Sequence, residues 1–437
     1  MGLARNFQRC GCVVEYWSEP GLEQEILRQG FKFRRTSGIS KMETDEFQLT
    51  ALAGSLCRQP RSVVDQFQSS IRRRKEMRGS LNQFEAFLAQ ALRQSDPAIV
   101  IFDPFRLGYY PFLLRAGVKC VVFSSKPLLT WDPLVPPHTS SVRPRQTRAG
   151  RTMVMVSWAY ARLRKTYYIL LRRVVRRVGI YTFEEFLDEV AQRTNFSLHT
   201  ERVQRWIGYD LHFSAVPEWA LWHPCMDFPR ERPLQTNIHF VGPCVDLNRR
   251  EEGDFRRHSE AGTLIYVCMG RAVTFNWQRD LKLLFAVIEA LRDRDDTEVV
   301  IATGDSKVTE TVSQQLPQNT WASTKLPQLQ VLSLASLAII HGGAGTVREC
   351  ILKRVPMLAY PCEFDQKGNA ARIEHHGIGL RGSRFLASPH RIRSKVELIL
   401  RDPRFRDNLA SMNQQVSADA EEWLAAALGV VSEREVP

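Results

Sequence analysis

Residues 337–369 read LAIIHGGAGTVRECILKRVPMLAYPCEFDQKGN, and this stretch decides the fold. It holds two short apolar runs, 337–341 and 356–361, separated by a glycine-rich turn and a helical stretch. Short runs that are apolar on both faces and alternate with helices are typical of a parallel sheet covered by helices. We therefore expect an α/β domain whose ligand site lies at the carboxyl ends of its strands.

The same alternation occurs along most of the chain. Further strands are expected in the first half at 12–17, 98–103, 119–125 and 238–246, and in the second half at 263–270 and 297–304. This pattern predicts two doubly wound, Rossmann-like domains that face a cleft. We expect an N-terminal domain over 1–241, a polar linker over 242–261 and a C-terminal domain over 262–437. A tail helix at about 404–430 is expected to pack back onto the N-terminal domain.

Composition narrows the class of protein. The 437 residues include nine cysteines, and no two of them form a C-x-x-C pair. A disulfide framework or a zinc site is therefore not expected, and a reducing cytoplasm is the expected location. No run reaches the roughly 18 apolar residues that a membrane-spanning helix requires.

A basic segment stands out between Arg143 and Arg177. It contains eleven Lys and Arg residues and no Asp or Glu, with apolar and aromatic residues at near-helical spacing. Such a segment is compatible with a solvated helix whose basic side chains cover one face, or with an interfacial helix on an anionic membrane. Basic patches also bind nucleic acid, but no nucleic-acid motif accompanies this one, and we expect no such partner.

The glycines after His341 indicate an anion site. A strand ends at this histidine, and a helix is expected to begin near Gly345 and Thr346. Glycines such as Gly343 and Gly345 allow close backbone approach, and the first N–H groups of a helix bind anions. The pattern favours a diphosphate, with the Thr346 hydroxyl as a further donor.

Acidic and amide side chains follow at fixed intervals. Glu349 stands one turn into the expected helix, where a carboxylate suits the two hydroxyls of a ribose. Asp365, Gln366 and Asn369 follow the next strand, and Asp365 and Asn369 share a helix face. Each residue alone has an ordinary explanation, such as a helix cap for Asp365. The ordered set is the signal, and it suits a polyhydroxylated ligand.

The ordered set P-Q…H-x-G-x-[GN]-[ST]-x-x-E…P-x-x-x-[DE]-Q-x-x-N resembles that of the UDP-glycosyltransferase family, and most of all its bacterial, macrolide-glycosyltransferase-like branch. The resemblance implies the GT-B fold. It also implies inverting transfer of a hexose from a UDP-sugar or dTDP-sugar to a hydroxyl of a hydrophobic small-molecule or lipid acceptor. Neither a metal nor a cofactor would be needed, because a helix dipole and hydrogen bonds balance the leaving diphosphate.

The family resemblance also implies roles for individual residues. Gln328 would lie against the uracil. The diphosphate would be held by His341 with the Gly345 and Thr346 amides, the ribose by Glu349, and the sugar hydroxyls by Asp365 and Gln366, with Asn369 contributing on the sugar side.

Two positions depart from the family pattern. Arg271 stands where the family has a small hydroxyl residue, and it could contact phosphate or be a surface charge. Lys325 stands where an aromatic residue usually stacks on the base, and Trp321 is a possible substitute.

One of the family's acceptor-side catalytic residues has no match in this chain. In the family a histidine after the first strand is the general base, and an aspartate matched by Asp103 orients it; no histidine precedes His138 in this chain. Residues 9–17 resemble the family's second strand, so the first strand and its base are expected upstream of Met1. A shortened homologue, or another base such as Asp103 or His138, are the alternatives.

Three aromatic residues, Phe105, Tyr109 and Tyr110, are expected to line the acceptor pocket. The rival functions are a non-catalytic nucleotide-sugar-binding protein, a nucleotide-sugar epimerase and a peripheral membrane scaffold.

Overall fold

The computed structural model describes residues 1–37, 61–177, 183–198, 213, 215–258, 262–270 and 277–419, and also residues 423, 425 and 429. The strands, numbered in chain order, are β1 Glu15–Ser18, β2 Lys32–Arg35, β3 Val100–Phe102, β4 Cys120–Ser124, β5 Glu218–Ala220, β6 Ile238–Phe240, β7 Thr263–Cys268, β8 Thr297–Ala302, β9 Thr320–Ser323, β10 Leu337–Ile340, β11 Met357–Ala359 and β12 Gly379–Arg381. The α-helices are Gly2–Arg9, Glu23–Arg28, Arg61–Ser95, Tyr110–Arg115, Arg148–Arg177, Phe183–Thr194, Trp277–Leu291, Ser306–Ser313, Gln328–Leu334, Ala344–Leu352, Gln366–His375, Pro389–Arg401 and Arg404–Ala418.

The C-terminal domain is built on one six-stranded parallel sheet. Its order is β12-β11-β10-β7-β8-β9, so the chain direction across the sheet reverses between β7 and β10. Ile340 at the end of β10 lies opposite Cys268 at the end of β7, and every residue of β10 is buried. This reversal is the switch point at which doubly wound sheets bind ligands. The prediction of a doubly wound α/β domain is confirmed.

The described part of the N-terminal domain carries two parallel sheets. Strands β3, β4, β5 and β6 form one, and β1 and β2 form a separate pair. Phe7 of the first helix stacks on Trp219 of β5 at 5.7 Å between ring centroids, which places that helix on the four-stranded sheet. The strand expected at 12–17 begins later, at Glu15, because the backbone of the preceding turn bonds to the first helix.

The segment expected to be a polar linker, 242–261, packs on the C-terminal domain. Phe255 stacks on Trp321 at 5.5 Å, and the His258 N–H donates to Glu298 at 2.9 Å. The tail then returns to the N-terminal domain. His223 lies 3.0 Å from the Asp419 carboxylate, and its ring packs against Trp423.

Buried charges join the two domains. The Arg372 guanidinium donates two hydrogen bonds, at 2.8 and 2.6 Å, to the carboxylate of Asp227. Arg348 donates to the carbonyl oxygens of Leu221 at 3.0 Å and Pro243 at 2.6 Å. Because buried charges require partners, these contacts fix how the domains meet.

One face of the helix Arg148–Arg177 is anchored to the rest of the protein. Val154, Trp158 and Ala161 are buried, and the Trp158 indole N–H donates to the Val135 carbonyl at 2.8 Å. Within the described residues, no helix is long and apolar enough to cross a membrane.

Candidate functional site

The carboxyl ends of β7 and β10 bring one histidine and two glycines together. The His341 ring lies over Gly270, where an added Cβ would come within 2.6 Å of it, and a Cβ on Gly343 would also overlap the ring. Gly270 has a φ of +70°, which a residue with a side chain adopts only under strain. Burial lowers the pKa of His341, and the Cys268 carbonyl and the charge of Asp365 oppose that effect. A neutral imidazole therefore faces this edge of the sheet.

The helix Ala344–Leu352 begins at the same edge. Gly343 is its N-cap and provides no side-chain hydrogen bond, so the first N–H groups of the helix are not capped by that residue. A Cβ added at Gly345 would meet no heavy atom within 4 Å. Open space therefore lies beside the first turn, as an anion-binding helix start requires.

Glu349 is buried one turn further along this helix. Its carboxylate accepts hydrogen bonds from the Arg249 guanidinium and from the Gln328 side-chain amide. The Gln328 carbonyl oxygen in turn accepts from the Tyr266 hydroxyl at 3.0 Å. Gln328 and Glu349, which the sequence predicts to share one nucleotide, are thus in direct contact.

Arg249 and Glu251 come from the linker, and sequence reasoning missed both. Glu251 bonds to Arg249 at 2.8 Å and accepts from the N–H groups of Leu329 and Gln330, at the start of the helix Gln328–Leu334. Burial lowers the pKa of Arg249, but Glu349 and Glu251 outweigh burial and raise it. A permanent positive charge therefore stands beside Glu349.

The third group of predicted residues follows β11. Asn369 donates to Asp365 at 2.7 Å and to the Gly342 carbonyl at 2.8 Å. The Gln366 side-chain oxygen accepts from the N–H groups of Cys362 and Glu363. These bonds tie the turn after β11 to the glycine turn after β10, so the two halves of the predicted donor site form one surface.

The N-terminal domain contributes Asp103 at the end of β3. Its carboxylate accepts from the Phe105 N–H at 2.9 Å, and burial raises its pKa against the opposing effects of that bond, Lys126 and Arg106. The Lys126 ammonium lies 5.5 Å from the Phe105 ring and 5.6 Å from the Phe364 ring. This lysine, which sequence reasoning missed, connects the end of β3 to the residue before Asp365.

The prediction that three aromatic residues line the acceptor pocket is wrong at two positions. Phe105 is exposed, but Tyr109 and Tyr110 are buried in the core of the N-terminal domain. Tyr109 packs against Phe84 and Phe186, because the short 3-10 helix after β3 turns it inward. Arg271 lies outside the described residues.

The structure also bears on two alternatives from the sequence: Trp321 as the aromatic residue that stacks on the nucleotide base, and His138 as the general base. The Trp321 indole is stacked on Phe255 and donates to Glu298 at 3.1 Å, so its ring is occupied by the linker. His138 is buried, and its carbonyl accepts from the Gly368 N–H at 2.9 Å. Burial and the charges of Lys126 and Arg372 lower the pKa of His138 to about 3.

Comparison with known proteins finds sequence similarity to glycosyltransferases over part of the chain. The family model described as "Erythromycin biosynthesis protein CIII-like, C-terminal domain" matches residues 286–422. The zeaxanthin glucosyltransferase of Pantoea ananas is 31% identical over 203 residues, which are 46% of this chain and 45% of that protein. The oleandomycin glycosyltransferase of Streptomyces antibioticus is 27% identical over 203 residues, 45% of this chain and 46% of that protein. Just under half of the chain is thus similar in sequence to named glycosyltransferases.

Solved structures extend the likeness from these partial sequence matches to the whole fold. The glycosyltransferase of kitacinnamycin superposes with a TM-score of 0.63 at 19% identity, covering 100% of this chain and 94% of that one. Glycosyltransferase VinC in complex with dTDP gives a TM-score of 0.61 at 18% identity, with 99% and 95% covered. The chain therefore has the GT-B fold. The sequence matches, in contrast, span less than half of each curated relative named above.

Proposed function

We propose that this protein transfers a hexose from a nucleotide-diphosphate sugar to a hydroxyl of a hydrophobic acceptor. The observation that carries the proposal is the joining of three elements at one sheet edge: the glycine-bracketed His341, the open helix start at Gly345 and the buried Glu349. Relatives named as glucosyl- and glycosyltransferases act on zeaxanthin and oleandomycin by their names, which supports a small, largely apolar acceptor.

The donor would lie across this edge. The helix start at Gly345 and Thr346 would bind the diphosphate, and Asp365 with Gln366 would bind the sugar hydroxyls. The ribose hydroxyls would have to share Glu349 with Arg249, whose charge is already placed there. A UDP-sugar or a dTDP-sugar fits this proposal, and the dTDP complex of VinC supports the second.

The reaction would be a single displacement with inversion and without a metal. Helix amides and positive side chains would balance the charge of the leaving diphosphate. The acceptor hydroxyl must lose a proton, and we place the Asp103 carboxylate beside it as the proton acceptor. Burial raises the pKa of this carboxylate, which makes it a stronger proton acceptor once ionised.

The remaining partners belong to the same proposal. We place the protein in the cytoplasm with no nucleic-acid partner, and the basic segment 143–177 in peripheral contact with an anionic membrane. The apolar acceptor proposed here would be available at such a surface.

Calorimetric titration with UDP and dTDP tests the donor site. Gly345→Ala should leave the unfolding temperature unchanged or slightly raised, because alanine favours helix and its Cβ meets open space. The same variant should weaken nucleotide binding, because that space is where the diphosphate would lie. Glu349→Ala should weaken binding about 10-fold or more, the loss expected for hydrogen bonds to a charged group.

Glu289→Ala is the matched control, because its carboxylate pairs with Arg292 at the surface, one turn along the same helix. Unchanged binding in both Gly345→Ala and Glu349→Ala would remove the donor assignment. A turnover assay with a UDP-sugar separates the rival functions. Nucleotide binding without turnover would favour a non-catalytic protein, and conversion of the sugar without an acceptor would favour an epimerase.

A further inference from the structure

The helix Arg148–Arg177 carries a row of apolar side chains on the face opposite its buried anchor. We call this row the exposed stripe; between 54% and 69% of each side chain in it is accessible to solvent. Its seven members are Met153, Val156, Tyr160, Leu163, Tyr167, Leu170 and Val174. Exposed apolar residues are common singly, but a continuous row of this kind marks an interaction surface.

The spacing makes the stripe straight. Its members follow one another at alternating intervals of three and four residues, which keeps them within about 100° of arc on a helix of 3.6 residues per turn. The row extends over 21 residue steps, about 32 Å at 1.5 Å per residue. The buried side chains Val154, Trp158 and Ala161 project from the opposite side, so the stripe faces away from the protein.

Positive charges border the stripe. The helix contains nine Arg and Lys residues and no Asp or Glu. At 100° per residue, Arg173 and Arg177 fall along one side of the stripe and Arg164 falls along the other. Ion pairs to acidic residues elsewhere in the protein involve Arg151 and Arg176, which project toward the anchored face.

Charge decides between the surfaces that could cover the stripe. An alternating three-and-four spacing is also that of a coiled coil, so a second copy of this helix is one candidate. Two copies would place arginine beside arginine along the seam, with no acidic residue in either helix to pair with it. An anionic lipid surface meets both features at once: acyl chains cover the stripe and phosphates meet the arginines.

We infer that the helix Arg148–Arg177 lies in the plane of an anionic membrane, with the exposed stripe among the acyl chains and the flanking arginines at the lipid phosphates. This defines the side chains that make the membrane contact proposed above. It rests on the surface of this helix alone, so it stands or falls independently of the chemistry in the cleft.

Vesicle flotation of the full chain tests the inference. Vesicles of phosphatidylcholine with phosphatidylglycerol should carry the protein upward, whereas pure phosphatidylcholine should not. The double variant Leu163→Ser/Leu170→Ser should abolish flotation while it retains every charge. Phe385→Ser/Leu386→Ser is the matched control, because these exposed apolar residues lie in the C-terminal domain, and it should float as the unsubstituted protein does.

The charges are tested separately. Arg173→Gln/Arg177→Gln should lower the partition coefficient about 25-fold, about fivefold for each positive charge lost near an anionic surface. Thermal unfolding of each variant should match that of the unsubstituted protein, because all the side chains replaced here are exposed. Nucleotide binding measured in the same preparations reports on the cleft, so a failed donor site and a failed membrane contact give different results.

Three outcomes would overturn the inference. The first is no flotation with phosphatidylglycerol at low salt. The second is flotation that the serine variant leaves unchanged, because general attraction by the net positive charge would then suffice. The third is concentration-dependent dimerisation in sedimentation that the serine variant abolishes, because a second copy would then cover the stripe.

Discussion

Replacing Arg372 by methionine would test the buried charges that join the domains. Arg372 is 2% exposed, and its guanidinium donates to Asp227 through Nε and Nη2 and to the Gly368 carbonyl through Nη1 at 3.1 Å. Asp227 also accepts from Arg230 at 3.0 Å. Burial raises the pKa of Asp227, but the two arginines outweigh burial and lower it. The carboxylate is therefore ionised in the folded protein, and both arginines contribute to that.

Removing one partner of a buried ion pair costs about 3–5 kcal/mol, because the other charge stays buried. Arg372→Met should fall near 3 kcal/mol, since Arg230 still compensates Asp227. Asp227→Asn should cost more, because it leaves the fully buried Arg372 without its carboxylate. The double variant should lose much less than the sum of the two single changes, because it leaves neither charge of the pair without the other.

Urea unfolding followed by tryptophan fluorescence measures these changes. Arg292→Met is the matched control, because Arg292 pairs with Glu289 at the surface, and its unfolding midpoint should not move. A loss of stability below about 1 kcal/mol for Arg372→Met would refute the reasoning. So would a loss in the double variant that equals the sum of the losses in the two single variants.

Three further predictions follow from positions near the cleft. Gly343→Ala should weaken nucleotide binding in calorimetry, because its Cβ displaces the His341 ring; unchanged affinity would count against the role of that ring. Gly368→Ala should lower the unfolding temperature, because its Cβ overlaps the backbone carbonyl of His138; an unchanged melt would show that the two domains separate there without cost. Burial lowers the pKa of His376 to about 4. Between about pH 6.5 and 4 the unfolded chain therefore binds a proton that the folded protein does not, and the free energy of unfolding should fall as the pH drops through this range. His376→Asn should reduce this loss in unfolding at pH 5 relative to pH 7, and an identical pH dependence would exclude the histidine as a cause.

The fold of the C-terminal domain could be predicted because its signals are local. The buried strand Leu337–Ile340 and the glycine turn after it lie within ten residues of each other, and each has a clear pattern. Strands β2, β5, β9 and β12 were not predicted. They are three or four residues long and include charged or polar side chains, so no apolar run distinguishes them.

The residues of the candidate site that were missed depend on distant contacts. Arg249 meets Glu349 across 100 residues of sequence, and nothing in its own neighbourhood indicates that partner. The prediction that Tyr109 and Tyr110 line the acceptor pocket was wrong for a local reason. Their position after a strand predicts the cleft, but the 3-10 helix Pro104–Tyr109 rotates them into the core.

The helix Gln366–His375 contributes to both the candidate donor site and the contact between the domains. Its first turn holds Gln366 and Asn369, which belong to the candidate donor site, and its middle holds Arg372, which is fixed to the other domain. A helix transmits displacement along its axis because its hydrogen bonds hold it rigid. We expect a sugar bound at the first turn to displace Asp227 as well, which would couple occupancy of the donor site to the angle between the domains.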